Sequence, residues 1–356
     1  MKELRLMKGN EAIAEAAIRA GTDAYFGYPI TPQSEILEYL TERNPAETTG
    51  MVVLQAESEI AAINMVYGAA ATGRRVMTSS SSPGISLMME GISYLAGAEL
   101  PCLIVNVARG GPGLGTIQPS QADYFQSVKG GGHGDYRMLV LAPSSVQEMA
   151  DFVTLGFDLA FKYRNPVLIL SDGVIGQMME KVELPEFRPR KTDDESWAIV
   201  GKTPDRERNI LTSLNLEALK QEQHNIWLQE KYRRMEQEET RCESVLCDDA
   251  EFIVVAYGAS ARISRKAVEL AREQGIKAGL FRPITLFPFP AKELNEAAKN
   301  VKGLLSVEMS AGQMIEDIRL TVDSKIPVKL FGRLGGMVYT PAEILEAIKQ
   351  EYGNHQ

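Results

Sequence analysis

The chain has 356 residues and a formal net charge of −9, long for one domain and comfortable for two. The acidic balance argues against a nucleic-acid partner, which usually needs a basic face. No apolar run reaches membrane-spanning length and the N-terminus lacks a signal peptide's basic start and apolar core, so the cytoplasm is the expected location and no membrane contact is expected. Three scattered cysteines, Cys102, Cys242 and Cys247, form no ligand cluster for zinc or iron–sulfur. No metal is therefore expected on this chain, and the thiols are expected to be reduced.

Asn10 to Ala20 reads as a helix stopped by Gly21, and Asp23 to Gly27 as a short strand. Tyr28-Pro29-Ile30-Thr31-Pro32-Gln33 follows. A proline disfavours helix in the residue before it, so Tyr28 and Thr31 should be extended. Thr31 then has the backbone of an N-cap, with Pro32 at the first helical position and Ile36, Leu37 and Leu40 on the buried face. The stretch predicts a strand, a tight turn and a hydroxyl at a helix N-terminus. In an open α/β sheet such turns lie at the carboxyl ends of strands, where ligands bind. Local chemistry alone fits a plain helix cap as well.

Met51 to Gln55 is a β-branched apolar run of the buried parallel type. Glu57 should then stand in the first turn of a helix rich in small residues that ends near Gly73. Val76 to Thr78 resumes strand, Ser79 to Ser82 with Pro83 and Gly84 form a polar turn, and Leu87 to Ala96 is a helix. Pro101 to Val107, Leu139 to Ala142, Val146 to Lys162 and Val167 to Ser171 complete an alternation of strand and helix. That alternation means a mostly parallel sheet covered on both faces. From Glu186 to Arg208 proline and charge dominate, and Leu214 to Glu243 is a long charged helix with sparse apolar positions. Lys231-Tyr-Arg-Arg within it reads as a solvated face. Phe252 opens a second α/β unit that runs to a closing helix at Pro341 to Glu351. The expected division is 1–185, a linker at 186–247, and 248–356.

A carboxylate at Glu57 would be stabilised by the helix N-terminus, so it could be no more than a cap; Glu59, two residues on, points elsewhere. Arg109-Gly-Gly-Pro-Gly-Leu-Gly has a spacing that could be mistaken for a dinucleotide fingerprint. Gln118-Pro119 blocks an immediate helix, however, and no acidic residue closes a suitable strand about 20 residues on. The better reading is a glycine loop presenting Arg109, whose guanidinium can bind a carboxylate bidentately or pair a structural acid. Gln121 and Asp123 continue this loop. Gly130 to Asp135 is a second glycine-rich loop, carrying His133, which could border a site or have no catalytic role. Cys102 reads as core.

Tyr28-Pro-Ile-Thr-Pro, Glu57, the Arg109 loop and Phe281-Arg-Pro-Ile-Thr-Leu-Phe-Pro-Phe-Pro together resemble the α subunit of the 2-oxoacid:ferredoxin oxidoreductases. These enzymes use thiamine diphosphate to oxidise 2-oxoacids to acyl-coenzyme A. The resemblance implies a pyrimidine-type thiamine diphosphate domain followed by a transketolase C-terminal-like domain, both mostly parallel α/β. It implies that Glu57 is the carboxylate on N1′ of the aminopyrimidine, with Tyr28 and Pro29 beside the cofactor. Thr31 and Arg109 would hold the substrate carboxylate, and Gln121, Asp123 and His133 would border the pocket. The Gly-Asp-Gly…Asn element that holds Mg2+ and the diphosphate is missing around Asp172-Gly173. The resemblance therefore implies a β subunit carrying that half-site, a ferredoxin-like iron–sulfur subunit, a γ subunit, and coenzyme A as co-substrate. The Arg-Gly-Gly-Pro loop is most like the branched-chain (2-oxoisovalerate) type. Alternatives are a 2-oxoglutarate or pyruvate enzyme, a thiamine-dependent transferase or NAD-linked dehydrogenase, and a non-catalytic assembly subunit.

Overall fold

Strands whose residues are almost all apolar sit at the centre of a parallel sheet, because helices cover both of its faces. Cys102–Ala108, polar only at Asn106, and Pro166–Asp172, polar only at its last two residues, are such strands, buried at every position and paired in parallel from Cys102 opposite Pro166 to Ala108 opposite Asp172. The computed structural model describes residues 3–190, 194–202, 204 and 206–353; parts of the expected linker and both chain ends lie outside these. Among the described residues the larger sheet has seven strands, in the order Thr285–Phe287, Leu139–Leu141, Pro166–Asp172, Cys102–Ala108, Val76–Ser80, Ala24–Gly27, Val52–Gln55. All neighbours are parallel except the first pair. The second sheet has five strands, Val328–Gly332, Gly303–Glu308, Phe252–Val255, Ala278–Pro283 and Cys242–Val245, the last antiparallel to its neighbour.

Two strands cross the division read from sequence. Thr285–Phe287, from the second unit, closes the edge of the first sheet, and Cys242–Val245, counted with the linker, belongs to the second sheet. A two-stranded antiparallel pair, Leu4–Lys8 with Met179–Glu183, was not anticipated.

Three further expectations are corrected. Val52–Gln55 is not a buried strand: it is the sheet's other edge, with Val52 48% and Leu54 40% exposed. Ser79 and Ser80 are not in a turn but finish a fully buried strand, and the next helix starts at Pro83, where a proline needs no N–H partner. Lys231 is not on a solvated face. The helix Ala218–Glu238 lies across the first unit with Leu228, Lys231, Tyr232 and Met235 buried. Lys231 Nζ pairs with Glu99 at 3.2 Å and donates to the Arg164 carbonyl at 3.3 Å, while burial pushes its ammonium down to about 8.

Candidate active site

At the carboxyl end of Ala24–Gly27 the chain must turn sharply, and Gly27 allows it. A Cβ there would lie 2.3 Å from the Tyr25 hydroxyl. That hydroxyl, pushed up to about 12 by burial, stays protonated and donates to Ser79 Oγ at 2.7 Å. Ser79 in turn donates to Gln33 Oε1 at 2.6 Å, and Gln33 Nε2 donates to the Tyr28 carbonyl at 3.1 Å. The relay pins the motif turn to the neighbouring strand. Gln33 N donates to the Ile30 carbonyl at 3.0 Å, so Thr31 and Pro32 are the central residues of a turn, joined by a cis peptide. Thr31 is therefore not the N-cap. The helix is Ser34–Arg43 with Gln33 at its cap, and Thr31 is exposed. Tyr28 is half-buried and enters through its carbonyl, and Pro29 is exposed.

Arg109 ends the next-but-one strand and is 8% exposed. Its Nη1 donates to the Thr31 carbonyl at 3.0 Å and its Nη2 to the Leu114 carbonyl at 3.3 Å, while Nε has no partner. A guanidinium has five N–H donors, so three are unspent. The two residues expected to share a substrate are thus adjacent, but through the Thr31 main chain. The glycine loop folds back as a hairpin, with Thr116 N donating to the Gly110 carbonyl at 2.8 Å. At Gly115 a Cβ would lie 1.8 Å from that carbonyl oxygen.

Ser82 holds the start of this loop. Its φ of +20° is unusual for a residue with a side chain, and its contacts fix it. Its N–H donates to Asn106 Oδ1 at 3.1 Å, its Oγ accepts from the Arg109 N–H at 3.0 Å and donates to Asp123 Oδ2 at 2.6 Å. Asn106 Nδ2 also donates to Asp123 Oδ2, at 2.8 Å. Burial pushes the Asp123 carboxyl up, opposed by these two donors. Arg109 and Asp123 share the wall of a cavity of about 900 Å3 with Ser82, Pro112 and Leu114 and, from the second unit, Met309, Gln313 and Leu334.

The structure starts the next helix two residues later than expected. Glu57 is exposed and precedes the helix, which is Glu59–Ala70 with Ser58 as N-cap accepting from Ala61 N at 3.2 Å. Its carboxylate accepts from the Ser58 hydroxyl at 3.2 Å. Glu59 occupies the first helical turn and is 6% exposed. The reason is chemical: Ser58 caps a helix and Ala56 cannot. A serine directly before an acidic residue and an alanine-rich run was the available signal. The strand end Thr78 to Ser81 is wholly buried, and Thr78 Oγ1, Ser80 Oγ and Ser81 Oγ have no partner.

Two pocket expectations fail. Gln121 does not line the cavity. It clasps the two units, with Nε2 donating to the Tyr257 carbonyl at 2.8 Å and Oε1 accepting from Ser260 Oγ at 2.6 Å and Met309 N at 3.0 Å. His133 is exposed and edge-on to Tyr94 at 6.1 Å, its carbonyl accepting from Ser93 Oγ; it lies on the surface because its glycine loop packs outside the sheet. Asp172 is likewise structural. It caps the short helix after its strand through the N–H groups of Val174 and Ile175 and reaches Ala259 N at 3.3 Å. Among the described residues no three His, Cys, Asp or Glu side chains gather as a metal site, and no helix is long and apolar enough to cross a membrane.

Residues 15–244 match the family described as pyruvate flavodoxin/ferredoxin oxidoreductase, thiamine diphosphate-binding, and residues 250–344 match pyruvate:ferredoxin oxidoreductase core domain II. The chain belongs to the 2-oxoacid:ferredoxin oxidoreductase family. It is 54% identical to ketoisovalerate oxidoreductase subunit VorB of Methanothermobacter thermautotrophicus, over 98% of each chain. It is 38% identical to 2-oxoglutarate synthase subunit KorA of Methanothermobacter marburgensis, over 98% of this chain and 99% of that one. Among solved structures it is similar to 2-oxoglutarate:ferredoxin oxidoreductase from Magnetococcus marinus, with 2-oxoglutarate, coenzyme A and succinyl-CoA bound. That likeness has a TM-score of 0.87 at 28% identity and covers 98% of this chain but 65% of that one. A split-gene transketolase, at TM-score 0.61 and 14% identity, shows the shared fold alone. The family's fold, a thiamine diphosphate-binding unit followed by a transketolase-like one, is the fold expected from the motifs.

Proposed function

We propose that this chain is the α subunit of a cytoplasmic enzyme that oxidises a branched-chain 2-oxoacid to acyl-coenzyme A with ferredoxin as acceptor, active only with partner subunits. The observation that carries the substrate class is Arg109, buried, with three unspent donors on the wall of the 900 Å3 cavity. A planar fork of this kind takes a carboxylate, and Thr31, whose carbonyl it already binds, would add its hydroxyl as a second contact. Arg109 is the one cation on that wall among the described residues, and Pro112, Leu114, Met309 and Leu334 are apolar. A substrate with one carboxylate and an apolar tail suits this wall better than a dicarboxylate. The 54% identity to a ketoisovalerate oxidoreductase subunit supports the same choice.

The residues present also fit half of the cofactor. Thiamine diphosphate supplies a carbon nucleophile and an electron sink for decarboxylation. Glu59, buried at a helix N-terminus, would hold the proton shared with N1′ of its aminopyrimidine, the role first expected of Glu57. The unpartnered hydroxyls of Ser80 and Ser81 are donors for a polar ring, and the Tyr28-Pro29 turn would border it. Mg2+ and the diphosphate would be held by a β subunit, iron–sulfur clusters by a ferredoxin-like subunit, and a γ subunit would complete the complex.

The test is reconstitution. With its partner chains, the protein should reduce a viologen dye in a coenzyme A- and thiamine diphosphate-dependent reaction, fastest with 2-oxoisovalerate, slower with 2-oxoglutarate and pyruvate. Preference for 2-oxoglutarate would overturn the substrate choice, and an assembled but inert complex would leave only an assembly role.

A further inference from the structure

The helices Glu59–Ala70 and Pro83–Gly97 cross at close range, and two glycines seven residues apart on the second make the approach. Residues 59 and 63 lie one turn apart on the face that meets them. At Gly91 a Cβ would lie 2.6 Å from Ile63 Cγ2, an ordinary matter of close packing. At Gly84 the neighbour is polar. A Cβ there would lie 2.6 Å from Glu59 Oε1, 3.0 Å from Glu59 Cγ and 2.0 Å from Ser80 Oγ. The Glu59 carboxylate therefore occupies a slot that exists because residue 84 has no side chain. The slot is floored by Ser80, whose buried hydroxyl has no partner. It lies where the strand Val76–Ser80 hands over to the helix through Ser82, which also fixes Arg109.

We propose that Gly84 is a positioning residue for the reaction: its bare backbone, with Ser80 beneath, seats the Glu59 carboxylate at the end of the Val76–Ser80 strand. The proposal rests on the assignment of Glu59 made above. Both atoms nearest an added methyl group are the ends of rotatable side chains, so Gly84→Ala should displace the carboxylate without unfolding the chain.

The experiment uses the assembled complex loaded with thiamine diphosphate and Mg2+. It measures the rate of hydrogen–deuterium exchange at C2 of the bound cofactor, cofactor affinity, and the melting temperature. Glu59→Gln should slow exchange by about 10²-fold or more, the scale of a lost acid–base group. Gly84→Ala should slow it by about 10²-fold, the scale of an ångström's misplacement, with melting temperature and cofactor affinity little changed. Removing the Ser80 hydroxyl as well (Gly84→Ala with Ser80→Ala) should not restore exchange, because the methyl group still meets Glu59. Adding Gly84→Ala to Glu59→Gln should cost nothing further, since the two act on one carboxylate.

Exchange at the wild-type rate in Glu59→Gln would sink the assignment of Glu59. Slow exchange in Glu59→Gln with normal exchange in Gly84→Ala would sink the positioning role and leave that assignment standing. Rescue by Ser80→Ala, or additive losses in the double variant, would also overturn it. Should Gly84→Ala fail to assemble, Glu59→Asp retracts the carboxylate from the slot by one methylene. Wild-type exchange in that variant would refute the proposal.

Discussion

The loop that follows the strand Cys102–Ala108 begins and ends in opposite ways. At its start, Arg109 is buried with Nε unpaired, as are the hydroxyls of Thr78, Ser80 and Ser81 on and just after the neighbouring strand. Twelve residues later, Gln121 is equally buried, yet both ends of its side chain are used and its own N–H and carbonyl bond Met309 and Tyr257. Buried polar groups are almost always satisfied, and the exceptions call for an explanation. Here the satisfied residue joins two parts of the protein, and the unsatisfied Arg109 lines the cavity. Two buried polar side chains of one loop thus report different jobs by their hydrogen bonds alone.

Arg109→Lys attacks the open end. It keeps the charge and loses the fork, so the KM for the 2-oxoacid should rise by roughly 10- to 100-fold, the scale of a charge-assisted hydrogen bond. The melting temperature should barely move. An unchanged KM would mean that Arg109 only ties the glycine loop to Thr31. Gln121→Ala attacks the closed end. It leaves Met309 N and the Ser260 hydroxyl buried without partners, and should destabilise the complex by about 1–3 kcal/mol while leaving KM intact. A KM effect without a stability effect would return Gln121 to the pocket.

The smallest effect concerns Asp172, whose buried carboxyl is pushed up to about 6, mainly by burial. Its folded form holds a proton over a range where the unfolded chain has released it. Its contribution to stability is therefore full below about pH 4 and declines as pH rises to about 6. In Asp172→Asn that slope should vanish, so the stability difference between wild type and variant should change between pH 4 and 6 and be flat above. A constant difference across the range would show an ordinary carboxyl.

The Tyr28 turn and the Arg109 loop were legible because proline fixes the backbone locally and glycine opens conformations closed to other residues. The helix start was misplaced by two residues because the helix Glu59–Ala70 is apolar on nearly every side. Its periodicity gives no phase, and only Ser58 marks where it begins. The run from Val52 to Leu54 looked buried because composition does not say whether a strand is central or at an edge. Gln121 was drawn to the cavity by its proximity to Arg109 in sequence, whereas its partners, Tyr257, Ser260 and Met309, lie more than 130 residues away. No local pattern encodes such a pairing.

The strand Thr285–Phe287 pairs with Leu139–Leu141 at the margin of the first sheet. Arg282 just before it donates to Glu148 and to the Ala142 carbonyl, and the Ala142 N–H reaches Ile284. A sheet whose last strand arrives only after residue 284 cannot be finished by its own half of the chain. Cutting the protein between its two family-matched segments would leave Leu139–Leu141 with a bare row of amide and carbonyl groups, a template for pairing with other chains. During synthesis the first half must wait for the second, and a truncated fragment would be expected to aggregate instead of folding as a free-standing domain.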